Sequence, residues 1–105
     1  MADEASRTLH IYPQTSWHEE AWVAGNRASL EALRDAITRA LEGNKPEGVT
    51  MSANDGEGYR VLVVPLTDSD VGTLRLPYHE KPTPWQGRHP VEVVGTEEYR
   101  RIMRG

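Results

Sequence analysis

The sequence predicts an α+β fold: a mainly antiparallel sheet of about five strands, with one long helix packed on a face and a short C-terminal helix. Three observations predict it. Residues 27–42 place apolar side chains at three- and four-residue intervals. Short runs rich in Val, Ile, Leu and Tyr alternate with clusters of Gly, Pro, Asn and Asp. A chain of 105 residues, 37% of them hydrophobic, is the size of a single domain with one modest core.

Residues 1–7 read as a flexible N-terminus. Thr8–Tyr12 reads as a strand stopped by Pro13, and Trp17–Ala24 as a second strand pairing with it in a hairpin. Gly25 and Asn26 break that pattern. In the helix that follows, Leu30, Leu33, Ile37, Ala40 and Leu41 share one stripe at the 3.6-residue period, which predicts that this stripe is buried against strands. Ala28, Ala32 and Ala36 add helix propensity without bulk, and Asp35 and Arg39 stand one turn apart, where an ion pair forms on the wet side. Asn26 or Ser29 caps the start, and Gly43 with Asn44 supplies the stop.

Val49–Met51 reads as a third strand, and Asn54–Gly58 as a hairpin turn in which Asp-Gly provides the positive dihedral angles. In Tyr59–Leu66, Tyr59, Val61 and Val63 alternate with Leu62, Val64 and Leu66, which predicts a central strand covered on both faces and ended by Pro65. Thr67–Asp70 reads as a polar turn, Val71–Leu76 as a strand and Val91–Val94 as an edge strand. Thr96–Met103 reads as the short helix, with acids in its first turn and arginines near its end. Tyr78–Pro90, with prolines at 82, 84 and 90, is a loop of thirteen residues, long for a compact domain.

Composition excludes several functions. Twelve basic against 16 acidic side chains leave a net charge of -4, which argues against general nucleic-acid binding. The lack of cysteine removes disulfides, thiolate ligands and a cysteine nucleophile. No apolar run approaches the roughly 20 residues of a membrane helix. The acidic start from Ala2 to Arg7 has no signal-peptide pattern, so the expected location is cytoplasmic, with no membrane partner.

Catalytic motifs are equally sparse. His18-Glu19-Glu20 continues with Ala21 and Trp22, not with a second zinc-protease histidine. His79, Glu80 and His89 are the grouping that a folded-back loop would bring to a metal, but no metal or cofactor is expected. Asp55 and Glu57 read as turn chemistry, no serine lies in a nucleophile elbow, and the glycines around Glu57 do not complete a phosphate fingerprint.

The expected function is therefore a non-enzymatic protein-binding domain, an inhibitor or immunity factor, with one protein partner. Its expected contact residues are Tyr78, His79, Trp85, Gln86, Arg88 and His89, because proline-framed aromatic and guanidinium groups lose little freedom on binding. Packing of Trp85 onto the sheet is the competing reading. The alternative function is a small-molecule or nucleotide binder using Arg60 and Arg75, with Arg88, as paired donors. A small enzyme with His79 or His89 as general base is the third. A homodimer is expected if the doubly apolar Tyr59–Leu66 strand needs more cover than one helix gives. The run Arg100, Arg101 and Arg104 reads as helix-end complementarity rather than a phosphate patch.

Trp17–Leu41, with Gly25, Asn26, Arg27, Leu30, Leu33, Ile37 and Ala40, resembles the strand, glycine-asparagine turn and helix of small bacterial immunity-like proteins of polymorphic toxin systems. Asp55-Gly56-Glu57-Gly58-Tyr59 is similar to a later hairpin in such proteins, and together these segments cover about half the chain. The resemblance implies an intracellular inhibitor that binds one partner protein and performs no catalysis. It offers no catalytic residues to carry over, and the Tyr78–Pro90 loop lies outside it.

Overall fold

A computed structural model describes residues 7–16, 18–77 and 87–104. In chain order the elements are β1 (Leu9–Tyr12), β2 (Trp22–Gly25), α1 (Arg27–Gly43), β3 (Glu47–Ser52), β4 (Gly58–Val63), α2 (Asp68–Val71), α3 (Pro90–Val94) and α4 (Thr96–Arg104). They fall into two compact units. The first is built on residues up to Ile11 with Val23–Pro65, the second on Tyr12–Trp22 with residues from Leu66 onward.

The five-stranded sheet with a single long helix is overturned: among the described residues two small antiparallel sheets form instead, β1 with β2 and β3 with β4, accompanied by four helices. A parallel bridge between Thr8 and Ser52 connects them at one point, where the Ser52 amide donates to the Arg7 carbonyl at 2.8 Å. Two expected strands are lost to local capping. At the first, Thr67 Oγ1 accepts from the Asp70 amide at 3.1 Å and opens α2, and only the isolated bridge Leu74–Arg88 survives beyond it. At Val91–Val94, Pro90 occupies the first helical position, where its missing amide costs nothing. There the Val91 amide donates to His89 Nδ1 at 3.0 Å and the His89 amide to Glu92 Oε1 at 2.6 Å. This reciprocal cap outweighs the strand preference of three valines.

The first unit is organised by the β3–β4 hairpin. Its register pairs Glu47 with Val63, Val49 with Val61 and Met51 with Tyr59, so these side chains share one face. The connecting turn closes through the Ala53 amide on the Glu57 carbonyl at 2.9 Å. Gly56 supplies a φ of +87° that a residue with a Cβ adopts only at a cost. Leu9, Ala36, Val49 and Met51 are buried together, with Ala32, Leu33, Tyr59, Val61 and Val63 packed around them. Leu9 and Met51, fully buried, each contribute about 1.5–3 kcal/mol. Tyr59 donates its hydroxyl to the Leu9 carbonyl at 2.5 Å, and the Asn54 amide donates to His10 Nε2 at 3.1 Å, so β1 is tied to the hairpin at both places.

Helix α1 begins where Asn26 Oδ1 accepts from the Ser29 amide at 3.0 Å and Ser29 Oγ donates back to the Asn26 carbonyl at 2.9 Å. It ends at Asn44, left-handed with φ 51° and ψ 48°. Only glycine fits at position 25: a Cβ there would lie 2.6 Å from the Thr8 carbonyl oxygen and would collide with Ser29 Oγ. The wet-side pairing also differs from expectation. Arg34 pairs with Asp35 at 3.0 Å and Arg39 with Glu47 at 3.5 Å, so no Asp35–Arg39 bridge forms among the described residues.

In the second unit, Arg101 pairs with Glu98 one turn earlier on α4, and Ile102 is the buried side chain of that helix among its described residues.

Candidate functional site

Helix α1 buries only part of the expected stripe: Leu33 and Ala40 are on the packed side, whereas Leu30, Ile37 and Leu41 are not. Its buried residues are Ser29, Ala36 and Ala40, with Ala32 and Leu33 packed against the core. Leu30, Ile37 and Leu41 remain 41%, 40% and 68% exposed. Small residues recurring every three or four positions let the helix backbone come close to the sheet, whose own Met51 and Val49 fill the space. The large side chains, rotated about 95–135° further around the helix, are thereby turned outward.

At 100° per residue, Leu30, Ile37 and Leu41 lie within an arc of about 40° and span roughly 16 Å along the axis. Arg34 sits between them at the edge of the ridge. Its guanidinium is drawn aside to Asp35 at 3.0 Å, so its methylene stem extends the apolar surface. Arg27 and Glu31 pair across the first turn at 3.2 Å, and the exposed Glu42 lies at the opposite end. The shallow depression beside this ridge, about 460 Å³, is lined by Arg27, Leu30, Glu31 and Arg34. Two turns of one helix are a convex wall. A small molecule needs surrounding walls to lose most of its surface to the protein, whereas a packed helix or strand needs only a ridge.

The residues expected to form a contact surface fare differently. Tyr78, His79, Trp85 and Gln86 lie outside the described residues, as does Trp17. Arg88 is engaged within its own unit: its guanidinium donates to Thr73 Oγ1 at 2.9 Å and approaches Asp70 at 3.8 Å, while its backbone exchanges bonds with Thr73 and Arg75. His89 caps α3. Arg60 lies half-buried on β4 opposite Thr50 in the first unit, and Arg75 is exposed in the second, its amide on the Arg88 carbonyl at 3.0 Å. Among the described residues no group of three His, Asp or Glu side chains gathers at metal-binding distance, and no helix is long and apolar enough to cross a membrane.

Sequence reasoning passed over the α1 ridge because it assigned those side chains to the core. The signal that separates the two stripes was present in the alanines at 32, 36 and 40, which the same periodicity places on an adjacent face. No family model matches the chain, and neither a curated protein nor a solved structure matches it.

Proposed function

We propose that this chain is a non-enzymatic protein-binding domain whose contact surface is the outward face of α1. The observation that carries the reading is the exposure of Leu30, Ile37 and Leu41 in line on a helix whose other face is packed. Aliphatic side chains left in water along one ridge gain about 25 cal/mol per Å² when a second polypeptide covers them. The inhibitor or immunity role implied by the resemblance is one biological form of this reading, since such a chain acts by occupying a partner, in the cytoplasm, without chemistry of its own. The small-molecule alternative is less well supported, because the depression on α1 has only the convex wall of one helix.

Native mass spectrometry of freshly purified protein separates the two. An associated polypeptide, present with wild type and lost in Leu30→Ser/Ile37→Ser, is the expected result. A metabolite retained at one per chain with no polypeptide overturns the reading. Both side chains are more than half covered, so a lowered thermal midpoint with the fold retained is expected alongside.

A further inference from the structure

Building on that reading of α1, we infer that the polypeptide covering the ridge is a second copy of this chain, docked helix against helix in antiparallel sense about a two-fold axis. Two features specify this occupant. The first is spacing. Leu30, Arg34, Ile37 and Leu41 follow steps of four, three and four, the seam of paired helices. Antiparallel pairing about a point between Asp35 and Ala36 brings Leu30 of one copy against Leu41 of the other, and the stem of Arg34 against Ile37, so each large side chain meets an apolar counterpart. An isologous contact requires such self-complementarity.

The second feature is charge. Arg27, paired with Glu31, stands on the flank of the ridge at its N-terminal end, and Glu42 lies on the same flank, about 100° around from Leu41, at its C-terminal end, both exposed. Antiparallel docking sets Arg27 of each copy near Glu42 of the other, whereas parallel docking sets like against like. The two helix dipoles oppose in the same arrangement. This pairing differs from the strand-mediated dimer expected from Tyr59–Leu66, whose described side chains from Tyr59 to Leu66 are already half-buried.

With three partly exposed aliphatics per copy, the seam is smaller than a standard interface, so weak, concentration-dependent self-association is expected. Sedimentation equilibrium of the full chain from about 1 µM to about 1 mM, at low and at high salt, tests it. The expected result is a monomer–dimer equilibrium that Leu41→Asp weakens at least tenfold. R27E and E42R each weaken it several-fold, and the double variant R27E/E42R recovers affinity, a recovery that a purely apolar contact would not show. A monomer at every concentration overturns the inference, as does a dimer indifferent to Leu41→Asp or an exchange without recovery. A monomer that still carries a different polypeptide through Leu30 and Ile37 overturns the second-copy assignment and leaves protein binding standing. A monomer that carries none removes both.

Discussion

Strand β4 and helix α3 are built from nearly the same material, Tyr-Arg-Val-Leu-Val in one and Val-Glu-Val-Val in the other, and they fold oppositely. The valines of β4 have a partner strand five turn residues away, and every position from Gly58 to Val63 is opposed in the ladder. The valines of α3 follow a proline that cannot donate to a ladder and a histidine that accepts from the second amide of a helix. Strand preference in valine is a preference for a pleated neighbour, and where none is offered a cap of two hydrogen bonds decides. The same contrast divides the two units. The first is held by side chains remote in sequence, such as Leu9, Ala36 and Met51. In the second, the bonds at Thr67, His89 and Glu98 reach only three residues along the chain, and the remote ties among the described residues are polar ones, from Arg88 to Thr73, Arg75 and Asp70.

The sharpest way to break this contrast is to empty the remote core. Met51, on β3, is fully buried in the cluster with Leu9 and Ala36, so Met51→Ala is expected to cost about 2–5 kcal/mol, read as a lowered midpoint in urea. Since small domains hold about 5–15 kcal/mol in all, the first unit would lose a large share of its stability. A midpoint unchanged by the substitution would show that α1 and the β3–β4 hairpin are not held together by this cluster.

A smaller effect is expected where structure is local. His89→Ala removes the acceptor for the Val91 amide and should cost about 1 kcal/mol, the size of one capping bond. Amide exchange at Val91 and Glu92 should accelerate, while exchange across β3 and β4 stays as in wild type. Faster exchange in both places would mean that α3 is not the self-contained element its cap implies.

What was legible in the sequence follows the same division. The start of α1 at Asn26, its stop at Gly43-Asn44 and the turn at Asp55-Gly56, where Gly56 alone has the positive φ expected of the pair, were readable, because each is a short-range bond or a backbone angle belonging to one or two residues. Which face of α1 is buried was legible only in part: the stripe placed Leu33 and Ala40 on the packed side correctly, and Leu30, Ile37 and Leu41 wrongly. A 3.6-residue period fixes the angle between the leucine stripe and the alanine stripe, but the choice between them depends on how much volume Met51, Val49 and Leu9 bring from the other side. The candidate surface was therefore visible as Leu30, Ile37 and Leu41 and assigned to the interior. At Val91–Val94 the proline and the reciprocal His89–Glu92 cap were in view, yet a histidine acting as helix cap is uncommon enough that the valines dominated the reading.

The smallest effect tests whether a hydrogen bond inside one turn is felt by a fully exposed group. Thr15 donates to Glu19 Oε1 twice, from its hydroxyl at 2.5 Å and its amide at 2.7 Å. The hydroxyl bond is the larger cause, followed by the amide, and together they hold the Glu19 carboxyl below its ordinary value by stabilising the ionised form. The sign follows. A folded-state value below the unfolded one means that the unfolded chain binds the proton first as pH drops. The contribution is thus fully present above the unfolded value and lost as pH falls through the folded one. A carbon-detected NMR titration should place the Glu19 midpoint low in wild type and higher in Thr15→Val, which keeps the amide but not the hydroxyl. Coincident midpoints in the two proteins would show that solvent outcompetes the turn, and that only caps on helices such as α3 carry local order in this half of the chain.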